Sequence, residues 1–123
     1  MIETAIEEIA TGWKDDLATL NWFKTYAQYS KNSVVRSAAV KQLGKHWKDE
    51  FNVFEILAKC AVVDPFRSEN NSQINPRQTA LEVMTEQYPD YPQTRSLVSD
   101  RAENDADEQV REFAKEKLTV LES

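Results

Sequence analysis

Glycine is almost missing from this chain, with two in 123 residues, and proline (four) and cysteine (one) are sparse as well. So little turn-forming material leaves few places for the hairpins and long flexible connections of a sheet protein. Cys60 has no second cysteine to pair with, and its apolar surroundings, Ile56 to Val63, suit a small buried hydrophobe better than a nucleophile. No apolar run nears the roughly 20 residues that cross a bilayer. The stretch Met1–Glu8 has neither the basic flank nor the cleavage site of a signal peptide. The expected location is cytoplasmic. A net charge of −6 repels phosphate backbones and anionic lipid, and Asp49 and Glu50 dilute the basic group Lys41, Lys45 and Lys48. Neither nucleic acid nor membrane is expected as a partner.

Catalytic equipment is equally thin. His46 is the only histidine, so a histidine-based metal cluster cannot form. Gly44-Lys45-His46 lacks the first glycine and the hydroxyl residue of a phosphate-binding loop. Cys60 and His46 could make a dyad only if both faced one cleft, which the apolar run around Cys60 argues against. The carboxylate groups Asp15-Asp16, Asp49-Glu50 and Asp105-x-Asp107-Glu108 recur at segment ends, where helix capping explains them better than acid–base chemistry. None has the glycine-centred spacing of a calcium loop. No catalytic, cofactor-binding or metal-ligating residue is assigned, and no cofactor is expected.

What the chain does have is repetition. Ala5, Trp13 and Asp15 recur as Ala39, Trp47 and Asp49 after 34 residues, and as Ala80, Tyr88 and Asp90 after a further 41. Val35-Arg36 and Ala39 match Val110-Arg111 and Ala114, with Arg77 and Ala80 between. One unit with a polar insertion at about 65–75 accounts for nearly the whole length. Such a period marks stacked helical pairs, each hiding its apolar face only against its neighbours.

Every segment has helical spacing. Ile2, Ala5, Ile6, Ile9, Ala10 and Trp13 form one stripe, and Leu17, Leu20, Phe23 and Ala27 begin the next. Val35, Ala39, Leu43 and Trp47 follow, then Phe54, Leu57, Ala58 and Ala61, and three further segments end at about residue 121. Asn32 or Ser33, Asn75 before Pro76, and Asp105 or Asp107 suit helix starts, and Asp64-Pro65 suits a stop. The expected fold is all-α: a right-handed α-solenoid, an armadillo-type superhelix of about seven helices forming a single domain over 1–123. Three helix pairs, about 17–48, 51–88 and 92–121, follow a half-repeat at 1–13. That first helix corresponds to the second helix of a repeat, so its missing partner should leave apolar surface uncovered.

The unit resembles a HEAT repeat, in which an acidic turn precedes Val-Arg-x-x-Ala at the start of the second helix. Val35-Arg36-Ser37-Ala38-Ala39 and Val110-Arg111-Glu112-Phe113-Ala114 carry the pattern, and Pro76-Arg77-Gln78-Thr79-Ala80 is a weaker copy. Gly12-Trp13-Lys14-Asp15-Asp16 and Arg101–Asp105 are similar to the HEAT arrays that trail bacterial, especially cyanobacterial, NACHT-type signalling NTPases. The resemblance implies that each arginine reaches the acidic turn before it and carbonyls of the adjacent repeat, Arg111 with Asp105 and Arg77 with Asp64. Arg36 would face Ser30 at that place.

The function so implied is a non-catalytic scaffold for protein partners. Its polar contacts would come from one face of the second helices: Arg36, Gln42, Lys45 and His46, then Gln78 and Glu82, then Glu112, Lys115 and Glu116. Arg77 and Arg111 are further candidate anchors, and Trp22 and Tyr26, four apart on one helix, make a candidate aromatic patch. Two other readings stay open. Some HEAT-like proteins are bilin lyases that handle a tetrapyrrole, and a bilin-induced absorbance shift would favour that class. A weak homodimer through the N-terminal helix is the third.

Overall fold

The caps decide where the helices begin. In the computed structural model, which describes residues 2–67 and 74–122, α1 (Ile2–Gly12) is followed by α2 (Leu17–Tyr29), whose first turn is closed by Asp16 accepting from Ala18 N. Asn32, not Ser33, caps α3 (Ser33–His46), its Oδ1 taking Val34 N at 2.8 Å and Val35 N at 3.3 Å. Asn75 caps α5 (Pro76–Gln87), with Pro76 at the first position, where its missing N–H leaves no bond unmade. Asp107 Oδ1 accepts from Gln109 N at 2.8 Å at the head of α7 (Glu108–Glu122). The start of α4 (Val53–Val63) departs from expectation. Asp49 and Glu50 do not cap it; Asn52 stands there at φ 72°, with no side-chain cap bond. Asparagine tolerates that left-handed backbone better than most residues. Pro92 opens α6 (Pro92–Asn104).

The described residues hold seven helices and no strand, so the chain is all-α. Among them no helix is long and apolar enough to cross a membrane. Residues 68–73 of the polar insertion lie outside the described part.

Helices α2/α3, α4/α5 and α6/α7 pack as close pairs. Each runs antiparallel: Phe23 meets Trp47 (ring centroids 5.3 Å), Phe54 meets Tyr88 (5.0 Å), and Arg95 at the head of α6 bonds Leu121 O at the tail of α7 (2.9 Å). The second members form a row, α1 against α3, α3 against α5 and α5 against α7, while α2, α4 and α6 form the other. One continuous core runs between the rows. It repeats in register, with Ala39, Ala80 and Ala114 on one side and Phe23, Leu57 and Val98, each followed four residues later by Ala27, Ala61 and Ala102, on the other; all are buried. The alanines let the rows approach, and the large residues fill the space that remains. Neighbours within a row also approach closely, α3 on α5 at Gly44, where a Cβ would overlap Val83 Cγ1.

Candidate functional site

Two ladders of polar contacts tie the repeats together, and they remove several candidate anchors from the surface. Arg36 Nη1 donates to Ser30 O (2.8 Å) in its own turn, while its Nε and Nη2 grip Asp64 of the next turn at 2.7 and 3.1 Å. Arg77 repeats the geometry, with Nη1 on Asp64 O and Phe66 O and the fork on Asp105 at 2.9 and 3.0 Å. This reverses the expected pairing: the carbonyl comes from the arginine's own turn and the carboxylate from the following repeat. The reason lies in Asp64 and Asp105, whose Oδ1 atoms accept from the backbone two residues on, at Phe66 N and Asp107 N, so their free edges face back along the row. Arg36 and Arg77 are only 6% and 7% exposed and are tie-bars of the fold, not contact residues. Arg111 makes the carbonyl bond, Nη1 to Asp105 O at 2.7 Å, and stays half-buried.

The second ladder uses the aromatic at each repeat end. Trp47 Nε1 donates to Lys14 O, and Tyr88 Oη donates to Lys48 O, both at 2.7 Å. Burial pushes the Tyr88 hydroxyl up to about 12, with Tyr91, Asp49 and Glu55 adding to the shift. Trp13 holds the same repeat position, and among the described residues nothing stands ahead of it. It is 60% exposed, where Trp47 and Tyr88 are 3%.

Around Trp13 the expected apolar surface is uncovered. Of the α1 stripe only Ile6 and Ala10 are buried; Ile2, Ala5, Ile9 and Trp13 face solvent. An open groove of about 350 Å³ runs between α1 and α2, lined by Ile9, Trp13, Ala18, Thr19 and Trp22. Trp22 packs against Tyr26 with ring centroids 4.2 Å apart and planes tilted by 42°, and meets Phe23 edge-on at 5.0 Å, so the patch is held on a buried anchor. Exposed Leu17 extends the patch at the head of α2. The structure therefore brings Trp22 and Tyr26 together and adds Ile9, Trp13 and Leu17. The signal for Ile9 and Trp13 was present in the repeat: Leu43 and Trp47, their equivalents one unit further on, are buried.

Lys45 and His46 lie apart from this groove, at the seam of α1 and α3. Lys45 is 3.7 Å from Glu7 in an exposed ion pair, and His46 Nε2 is 3.5 Å from Thr11 Oγ1. Partial burial, then Lys45 and Lys14, hold the imidazole below its ordinary value, with Glu7 opposing. Gln42, expected on the polar face, is buried, and its Oε1 has no hydrogen-bond partner among the described residues. Helix α3 is covered by α1 on one side and α5 on the other, which narrows the polar face to Lys45, His46, Gln78, Glu82, Glu112, Lys115 and Glu116.

Cys60 does not face a cleft. It is buried with Sγ directed at Ala27 O (3.6 Å), and burial pushes its thiol up to about 12, with Asp64 assisting. It stays protonated and unreactive at neutral pH. Among the described residues no three of histidine, cysteine, aspartate and glutamate gather as metal ligands would. Neither a family model, nor a curated protein, nor a solved structure matches this chain.

Proposed function

We propose that the chain is a non-catalytic scaffold for protein partners, built as a short α-solenoid of HEAT-like repeats, and that it serves as a sensor or regulatory part of a NACHT-type NTPase system. The solenoid reading is supported by the two helix rows and by the arginine and aromatic ladders, each recurring from one repeat to the next. Stacking of this kind gives a rigid surface whose contacts are fixed before a partner arrives, so little ordering cost attends binding. The NACHT context rests on the resemblance of Gly12–Asp16 and Arg101–Asp105 alone.

The observation that carries the scaffold reading is the uncovered aromatic patch at the groove: Trp22 lines it, Tyr26 packs against Trp22, and both are more than a third exposed. Tryptophan and tyrosine in such settings dominate interface energetics. The polar seam at Lys45 and His46 would add orientation more than affinity. The test is recovery of partners from the native cell extract by the parent chain and by Trp22→Ala and Tyr26→Ala. Each variant should lose affinity by about 2 kcal/mol, roughly 30-fold. Equal recovery of the same partners by parent and variants would overturn the reading.

A further inference from the structure

We infer that the groove beside α1 is a receptor for one amphipathic α-helix of a partner protein, which lies antiparallel to α1 and occupies the place that α2, α4 and α6 hold against their own neighbours. The inference rests on the scaffold reading and specifies the partner. It follows from comparing equivalent positions.

On α4, Val53, Ile56 and Cys60 are all buried, Cys60 with its Sγ on Ala27 O of α2. Their equivalents on α2, 34 residues earlier, are Thr19, Trp22 and Tyr26, which face the groove or solvent. In the other row, Ala39, Leu43 and Trp47 are covered by α2; their equivalents Ala5, Ile9 and Trp13 are bare. Both walls of a helix-sized slot are therefore present and apolar, and one tryptophan N–H stands ready for a carbonyl. In the two filled positions that carbonyl belongs to Lys14 and Lys48, just ahead of α2 and α4. The partner should offer one in the residues leading into its helix.

The filled slots specify the occupant. Helices α2, α4 and α6 are 13, 11 and 13 residues long, so about three turns suffice. Each turns a large apolar residue and, four later, an alanine toward the opposite row: Phe23 and Ala27, Leu57 and Ala61, Val98 and Ala102. The partner helix should carry that large-x-x-x-Ala pair.

Charge selects between a foreign helix and a second copy of this chain. With Glu7 paired to Lys45 at the α3 seam, residues 2–22 still carry Glu3, Glu8, Asp15 and Asp16 against Lys14. Two such ends would repel each other, whereas a helix with basic flanks would be drawn in. The occupant is therefore a basic, amphipathic helix from another protein.

The probe is a synthetic peptide of residues 51–64, which carries α4, the filler of the slot beyond that of α2, and has no tryptophan. A second peptide adds two lysines at each end. Titrated into the full chain, the peptide should give a saturable blue shift of tryptophan emission. The lysine-flanked form should bind more tightly, with an advantage that salt removes. Trp22→Ala should weaken binding about tenfold or more. A second form decides the matter where a free peptide stays unfolded: a copy of residues 14–35, its Trp22 changed to Ile, replaces Met1, which sets the copied helix in register ahead of α1. Acrylamide should then no longer quench Trp13 or Trp22. A fused form whose two indoles remain quenchable would overturn the inference. So would a chain that forms dimers unaided, if Trp22→Ala dispersed them, because the slot would then belong to a second copy. A lysine-flanked peptide that binds no better would overturn the basic partner. Trp22-dependent partner recovery alongside unprotected indoles would remove the helix receptor and leave the scaffold standing.

Discussion

The two ends of the molecule close the same repeat in opposite ways. At the far end, the face of α7 that a following repeat would cover carries Glu112, Lys115 and Thr119, with Glu112 and Lys115 paired at 3.5 Å in the open. The equivalent face of α3 carries Ser37, Val40 and Gly44, all buried, and that of α5 carries Gln78, Leu81 and Thr85. Here charged groups stand where α3 and α5 carry Val40 and Leu81, and they are open to water. At the near end no such change has been made. Ile9, Trp13 and Trp22 remain apolar, and among the described residues no helix covers them. Exposed apolar residues gathered at one place, opposite a charged face, are the contrast on which the proposed contact surface rests.

Breaking an interior rung should have the largest effect and the sharpest contrast with an end. Asp105 is wholly buried against the Arg77 guanidinium. Asp105→Ala leaves that charge buried and unpaired, and should cost about 3–5 kcal/mol in urea unfolding. Arg111→Met at the open end removes one carbonyl bond and should cost about 1 kcal/mol. Near-equal losses would mean that the ladder is not what distinguishes interior from end. Next in size, Trp47→Ala should cost about 3–5 kcal/mol by opening a cavity, with its lost bond to Lys14 O adding to it. Trp13→Ala, at the uncovered equivalent, should stay within about 0.5 kcal/mol.

The two glycines offer a finer version of the same contrast, with opposite signs. Gly44→Ala gains about 1 kcal/mol of helix propensity, but the new methyl drives into Val83, a stiff β-branched side chain. Overpacking of about 1–3 kcal/mol should win, for a net loss of roughly 1 kcal/mol. A Cβ at Gly12 meets nothing within 4 Å. Gly12→Ala should therefore raise the melting temperature slightly, and a fall there would show that the near end is packed after all.

Much of this was legible because the repeat made each position appear several times. All-helical character, the caps at Asp16, Asn32 and Asn75, and the stop at Asp64 follow from local chemistry that one residue carries in any context. The aromatic patch at Trp22 and Tyr26 was legible as helical spacing. Less legible was anything fixed by a neighbour in space. That Arg36 takes Asp64 as well as Ser30 O depends on which turn stands beside it, and the resemblance pointed only to the turn before. Gln42 looks like a contact residue on its own helix, and only the presence of α1 and α5 on both flanks buries it. Gly44 is likewise an ordinary small residue until Val83 is placed against it.

Protonation distinguishes the seam beside the open end from the interior by the direction in which pH acts. In the interior, Cys60 and Tyr88 are each held up to about 12 by burial. The folded chain keeps protons that the unfolded chain releases, so stability should fall as pH rises above about 9. At the seam of α1 and α3 the sign is reversed. His46 lies below its ordinary 6.5, through burial first and then Lys45 and Lys14, with Glu7 pulling the other way. The unfolded chain binds the proton more readily, so stability should fall as pH drops below about 6.5 and flatten once His46 itself is charged. The effect is small because the ring is only partly buried. Urea midpoints measured between pH 5 and 7 for the parent and for His46→Gln would reveal it, with the variant showing a shallower dependence. A parent profile as flat as the variant's would mean that His46 does not sense the proton at this seam, leaving the apolar contacts of Ile6 and Ala10 and the Lys45–Glu7 pair to hold α1.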